Sequence, residues 1–128
     1  MANKEVVEIK MNRSLVSLVA VPALVAACTS GQTTLRIGDK AITLDSKCVP
    51  QANSAVRDIV IDEGKALESA RQQKGKLAMF STDVSQYLDG NCIGPVYQIV
   101  DQKFGEGYVV SLRYDKLGQP YFVFYKHD

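Results

Sequence analysis

The stretch SAVRDIVIDEGKALESARQQKG, which runs from Ser54 to Gly75, predicts the main helix of the chain. Apolar residues recur in it at the three- and four-residue spacing of a single helix face. These residues are Val56, Ile59, Val60, Leu67 and Ala70. Ser54 is a suitable N-cap, and Gly75 can end the helix because glycine readily adopts the backbone angles of a helix C-terminus. The stretch therefore predicts a helix of about six turns.

One residue within this stretch disfavours a continuous helix. Gly64 costs about 1 kcal/mol relative to alanine in a helix interior. The β-branched run at residues 59–61 lies just before it and could instead form a strand that leads into a shorter helix from Lys65. The sequence therefore leaves both helix and strand open for residues 57–61.

The C-terminal third of the chain predicts an antiparallel β-meander. Residues 96–104, 108–114 and 121–126 are rich in β-branched and aromatic residues, and loops that contain glycine or proline separate them. In the second run apolar and polar side chains alternate, as in a sheet with one covered and one solvent-facing side. We expect the helix to pack on this meander. The pattern of residues 76–91 is too mixed to assign.

A small hairpin is predicted on the N-terminal side of the helix. Residues 35–44 alternate apolar and polar side chains around a Gly-Asp turn. This combination is typical of a β-hairpin with a two-residue loop.

The apolar run from Leu15 to Cys28 resembles the signal peptide of a bacterial lipoprotein. It has about a dozen apolar residues, which suits a signal-peptide core and is too short for a membrane-spanning helix. Arg13 precedes it, and it ends in the sequence LVAAC. This ending resembles a lipobox, in which a branched apolar residue and two small residues precede the cysteine that takes a diacylglycerol. The resemblance covers Met11 to Cys28 and implies that Cys28 carries the lipid anchor. The alternative is an apolar core helix with a buried free thiol.

The resemblance implies a signal peptide over residues 1–27, an anchor and tether over residues 28–34, and a single globular domain over residues 35–128. Acidic residues among the first ten fit a basic signal start poorly, so we expect either that translation begins at Met11 or that residues 1–10 are an added extension. The residue after the lipidated cysteine is Thr29 rather than aspartate. In enterobacterial lipoproteins this implies delivery to the outer membrane, with the domain facing the periplasm.

A lipoprotein signal also implies an oxidising compartment, in which thiols that can meet usually pair. With Cys28 committed to lipid, Cys48 and Cys92 remain as an even pair and are expected to form a disulfide. The alternative is a metal site or a catalytic thiol, but neither cysteine has a nearby histidine or CxxC spacing. We therefore expect an α+β fold in which one main helix packs on an antiparallel β-meander, with a small N-terminal hairpin and one disulfide.

The sequence contains no residue pattern typical of an enzyme, a metal site, a cofactor site or a nucleic-acid-binding protein. The single histidine, His127, lies beside the terminus, a poor place for a rigid general base. The Gly-Glu-Gly loop at residues 105–107 joins two predicted strands and so lacks the context of a phosphate loop. Asp58, Asp62 and Glu63 are expected on the solvated face of the helix. Fifteen basic and fourteen acidic residues leave almost no net charge, which argues against nucleic acid as a partner.

Two classes of function fit these features. The first is a lipid-anchored binding module for another envelope protein, of the inhibitor, exclusion or immunity, or accessory-subunit type. The alternative is a periplasmic carrier of a small apolar ligand, held in a cavity between helix and sheet that Tyr and Phe side chains line. So few aromatic residues can scarcely fill a core and also line a large pocket, which favours the binding module.

The expected partner-binding surface lies on the last predicted strand. A C-terminal strand in a simple meander is commonly at the sheet edge, where unpaired backbone groups can bind another chain. We expect the helix to cover the face of this strand that carries Tyr121 and Tyr125. The other face then exposes Phe122 and Phe124, with Arg113 of the neighbouring strand at its rim. This composition is favoured at interface hot spots.

Overall fold

The computed structural model describes residues 31–127 and, before them, two short antiparallel strands, β1 (Val7–Glu8) and β2 (Val16–Ser17). Contacts between Cα atoms divide the chain into residues 1–49 and residues 50–128. The two parts are described separately.

The first part contains the predicted hairpin. Strands β3 (Gln32–Ile37) and β4 (Lys40–Asp45) pair antiparallel, with Gly38 and Asp39 as the two-residue turn. Gly38 has a φ of 64°, a left-handed conformation that glycine adopts without steric cost. Along β4 the buried side chains alternate with exposed ones. The hairpin prediction is confirmed, with β3 beginning three residues before the predicted start.

Helix α1 (Val49–Gln72) is the main helix, and it is continuous through Gly64. It begins before the predicted N-cap, Ser54, because Pro50 suits a first helical turn, where no intrahelical N–H bond is lost. The predicted helix is therefore confirmed, and the alternative strand at residues 59–61 is wrong. Its buried residues all lie in its N-terminal half: Ala52, Ala55 and Ile59.

The C-terminus of α1 is closed by two backbone hydrogen bonds. The N–H of Gly75 donates to the carbonyl of Ala70 at 2.8 Å, and the N–H of Lys74 donates to the carbonyl of Arg71 at 3.0 Å. This pair of bonds is a Schellman motif, which satisfies carbonyls that a helix end leaves free. Lys74, with a φ of 57°, takes the left-handed position that is usually filled by glycine.

The second part contains a three-stranded antiparallel sheet. Its strands are β5 (Met79–Asp83), β6 (Tyr108–Tyr114) and β7 (Pro120–Lys126), in the order β5-β7-β6. The predicted strands at residues 108–114 and 121–126 are confirmed as a hairpin. The third strand comes from the unassigned segment, and it places β7 in the centre of the sheet. The prediction that β7 is an edge strand is therefore wrong.

Residues 96–104, predicted as the first strand of the meander, belong instead to helix α2 (Ile93–Phe104). Its buried residues Val96, Ile99 and Val100 have the three- and four-residue spacing of a helix face. Before the helix, a carboxylate oxygen of Asp89 accepts the N–H of Cys92 at 3.1 Å. The β-rich composition misled the prediction, because burial of an amphipathic face outweighs intrinsic propensity.

Aromatic rings fill the space between the sheet and the helices. Phe80 of β5 stacks on Phe124 of β7, with ring centroids 4.7 Å apart, and Tyr108 of β6 meets Phe80 edge-on at 5.3 Å. From α2, Phe104 contacts Phe124 at 5.8 Å and Tyr97 lies 6.3 Å from the ring of Phe122. Such contacts add about 0.5–1.5 kcal/mol each to the burial of the rings.

Cys48 and Cys92 form the predicted disulfide, and both are fully buried. They lie directly before α1 and α2. On the chain-entropy model, closing a loop of about 45 residues stabilises the fold by about 4 kcal/mol. The α+β class with one main helix, a small hairpin and one disulfide is thus confirmed.

Candidate protein-binding surface

The structure separates the three residues that were expected to bind a partner. Phe122 and Phe124 are 0% exposed, because they lie on the central strand and on the face that the helices cover. The predicted exposed aromatic patch is therefore wrong. Arg113 is exposed, but it pairs with Tyr121 and so points to the opposite face of the sheet.

We call this opposite side the open face. It consists of the nine side chains that alternate with the core residues along the three strands. They form three rows across the sheet: Met79–Tyr125–Val109, Ser81–Val123–Ser111 and Asp83–Tyr121–Arg113. The first row consists of apolar side chains, the second of small side chains, and the third carries the two charged side chains.

The first row is the apolar part of the open face. Met79 is 48% exposed, Val109 is 52% exposed and Tyr125 is 37% exposed. The solvated side of an antiparallel sheet usually carries polar side chains. Three neighbouring apolar side chains in one row therefore mark this end of the sheet as a candidate contact surface.

Arg113 and Tyr125 extend toward each other across the middle row. One guanidinium nitrogen of Arg113 donates to the hydroxyl of Tyr125 at 3.3 Å, and Nε lies 3.5 Å from the hydroxyl of Ser111. Arg113 pairs with Tyr121, four residues before Tyr125, so the two side chains reach toward each other over about 13 Å of sheet. Val123 lies between them and is only 4% exposed. The guanidinium group is thus held over the open face by Tyr125 and Ser111.

The charged row has an anion at one edge and a cation at the other. Asp83 on β5 and Arg113 on β6 flank Tyr121 of the central strand. The backbone N–H of Ser85 donates to the Asp83 carboxylate at 2.9 Å. This bond, followed by one from the hydroxyl of Ser85, lowers the pKa of Asp83. Asp83 is therefore a fixed anion at neutral pH.

Two tyrosine–carboxylate hydrogen bonds hold α1. The hydroxyl of Tyr108 donates to Glu63 at 2.6 Å, and that of Tyr87 donates to Asp58 at 2.8 Å. Burial, and then the bond to Glu63, raises the pKa of Tyr108 to about 12. Burial, and then the bond to Asp58, raises the pKa of Tyr87. The ammonium group of Lys126 lies 4.8 Å from the centre of the Tyr108 ring. Asp58 and Glu63, which the sequence places on the solvated face, are half-buried, and each accepts a hydrogen bond from a tyrosine.

Other candidate sites of the described chain are few. Among residues 31–127, no three His, Cys, Asp or Glu side chains are grouped so that they could hold a metal ion. His127 contacts the carbonyl of Gly105 through Nε2 at 3.1 Å. In the same part of the chain no helix is both long and apolar enough to cross a membrane. Cys28 lies outside the described residues.

Comparisons with known proteins give no match, whether with family models, with curated proteins or with solved structures.

Sequence reasoning missed most of the open face. Met79 lies within residues 76–91, whose pattern is too mixed to assign, and the sequence places Tyr125 under the helix. Only the alternation along 108–114 indicated an open side, since it placed Ser111 and Arg113 together. Because β7 is apolar on both faces, its sequence contains no signal that distinguishes the covered face from the open one.

Proposed function

We propose that this chain is a lipid-anchored binding module of the bacterial cell envelope, with its lipid on Cys28 and its partner another envelope protein. The ending LVAAC and the short polar segment after Cys28 support the anchor. The disulfide is consistent with an oxidising compartment. By its sorting residue Thr29, the protein belongs in the outer membrane, facing the periplasm.

The open face is the structural feature that supports the proposed binding function. It combines an exposed methionine, a tyrosine and an arginine, all residue types that are enriched in protein interfaces. Arg113 is already held by Tyr125 and Ser111, so less side-chain entropy is lost when a partner binds. A partner with an apolar patch and a carboxylate would match the apolar row and Arg113.

The carrier function has less support. It requires Tyr and Phe side chains around an open cavity between helix and sheet, but the rings of Phe80, Phe122 and Phe124 are buried against one another. A groove of about 350 Å³ lies beside α1 and the start of β5. Its lining contains no Tyr or Phe: Ala66, Ser69, Ala70, Gln73, Gly75, Lys76, Leu77, Ala78 and Met79.

The binding function is tested with Val109→Lys, which places a charge at the β6 end of the exposed apolar row. Leu117→Lys is the matched control, because Leu117 is 83% exposed in the turn between β6 and β7 and lies off the open face. Affinity purification from solubilised, cross-linked envelopes should recover a stoichiometric protein with wild type and with Leu117→Lys, and lose it with Val109→Lys. Equal recovery from all three would exclude the open face as the binding surface.

The anchor is tested separately with Cys28→Ser. Metabolic labelling with palmitate should mark the wild-type protein and disappear in the variant. Label that persists in the variant would exclude Cys28 as the lipidation site. The two experiments are independent, because the open-face variants leave the proposed lipidation signal unchanged.

A further inference from the structure

The outer edge of β5 presents unpaired backbone groups. The N–H of Lys126 donates to the carbonyl of Ala78 at 2.8 Å, which identifies Ala78 and Lys126 as a hydrogen-bonded pair. Hydrogen-bonded and non-bonded pairs alternate in an antiparallel ladder. Along β5, therefore, Met79, Ser81 and Asp83 direct their N–H and C=O groups away from β7. None of these groups has a partner in the described part of the chain.

The opposite edge of the sheet is protected in a way that β5 is not. By the same alternation, Val110 of β6 directs its carbonyl outward, and the hydroxyl of Tyr97 on α2 donates to it at 3.3 Å. Proteins usually protect an edge strand with proline, lysine, a bulge or a covering element. Strand β5 has the sequence MFSTD, without proline or lysine, and its register with β7 is unbroken. As far as residues 31–127 are concerned, this edge is therefore open to another strand.

The charges around β5 indicate which strand fits. Lys74 and Lys76 precede it, and Asp83 ends it. A second copy of β5 in antiparallel orientation brings the basic end of each copy beside the acidic end of the other. A parallel copy would instead bring Asp83 beside its equivalent, and like charges directly opposite are destabilising.

The register of such a β5–β5 pairing follows from the backbone N–H and C=O groups that point away from β7. If Ser81 of one copy faces Ser81 of the other, Met79 faces Asp83 in both directions. Every outward N–H and C=O group of Met79, Ser81 and Asp83 then gains a partner. A shift by two residues in either direction leaves some of these groups unpaired.

We propose that the protein forms a two-fold symmetric homodimer in which β5 pairs antiparallel with β5 of a second copy, centred on Ser81. The two three-stranded sheets then join into one sheet of six strands, in the order β6-β7-β5-β5-β7-β6. Such an interface is isologous, because each copy contributes the same surface. The dimer needs neither the lipid nor another envelope protein, and it leaves the open face of each copy accessible.

The first test compares Ser81→Lys with Ser111→Lys. Ser81 and Ser111 lie in the same row of the open face, on the two opposite edge strands. Two lysines facing each other at the centre of the dimer should weaken it roughly fivefold or more. Sedimentation velocity of the full chain in mild detergent should show dimers of wild type and of Ser111→Lys, and mainly monomers of Ser81→Lys. A monomeric wild type, or a dimer that Ser81→Lys leaves intact, overturns the proposal.

The second test fixes the register and does not depend on whether the lysine variant folds. Residues facing each other in a hydrogen-bonded antiparallel pair have Cα atoms about 5.5 Å apart, within the range that a disulfide bridges. Under oxidising conditions Ser81→Cys should therefore form a covalent dimer, and Ser111→Cys should remain monomeric. Equal cross-linking of both variants, or none with Ser81→Cys, overturns the proposed pairing.

Discussion

The two faces of the central strand β7 differ in environment far more than in sequence. Phe122 and Phe124 point to the inner face and are fully buried against other rings. Tyr121 and Tyr125 point to the open face, where Tyr125 is 37% exposed and accepts a hydrogen bond from the guanidinium group of Arg113. All four side chains are aromatic. The comparison shows that the hydrophobicity of a strand does not decide which face is core, because that depends on where the helices lie.

The largest expected loss of stability follows the removal of a ring from the inner face. Removal of the adjacent ring from the open face provides the comparison. Phe124→Ala removes a ring that contacts Phe80, Phe104 and Tyr108, and should lower the free energy of unfolding by about 3–5 kcal/mol. Tyr125→Ala, the adjacent residue on the open face, should lower it by only about 1 kcal/mol, because Tyr125 is 37% exposed and loses mainly its cross-strand contacts and its bond to Arg113. Urea denaturation measures both. Similar losses for the two variants would show that the open face is also covered in the folded protein.

Tyr108 on the inner face should make the stability of the fold depend on pH in alkali. Tyr108 is 4% exposed on the inner face, and its pKa is raised from 10.0 to about 12. A raised pKa stabilises the folded state fully below the pKa of the unfolded chain. This contribution is lost as the pH rises from about 10 to about 12, and amounts to roughly 2 kcal/mol.

The variant Tyr108→Phe isolates this contribution. Its stability deficit relative to wild type should shrink over the same pH interval, because the phenyl ring has no proton to lose. Urea midpoints of both proteins across that interval provide the measurement. A deficit that stays constant would mean that Tyr108 titrates normally and that its bond to Glu63 is absent in solution.

Local pattern predicted the elements whose spacing is regular. The apolar spacing within residues 54–75 identified α1, the Gly-Asp turn identified the β3–β4 hairpin, and the loop before Pro120 identified β6 and β7. The pairing of Cys48 with Cys92 followed from the cysteine count once Cys28 was assigned to lipid. Each of these elements is specified by a few neighbouring residues, and the disulfide is specified by the two cysteines that remain to pair.

The errors concern structure that depends on distant residues. The run at 96–104 has the composition of a strand, but its apolar spacing and the bond from Cys92 to Asp89 favour helix α2. Strand β5 is only five residues long, too short for its pattern to be distinctive. Without β5, the central position of β7 could not be inferred. The candidate binding surface is therefore the open face, and not the face that carries Phe122 and Phe124.

The smallest expected effect concerns a polar group on the inner face. The hydroxyl of Thr82 is buried, at 1% exposure of the residue, and has no hydrogen-bond partner in the described part of the chain. Leaving a buried hydroxyl unpaired costs about 1–3 kcal/mol. Thr82→Val replaces it with a methyl group of similar shape and should raise the free energy of unfolding by about 1 kcal/mol. Ser81→Val, its neighbour on the open face, should have an effect of about 0.5 kcal/mol or less. A loss of stability in Thr82→Val, measured by urea denaturation, would show that the hydroxyl is bonded in the folded protein.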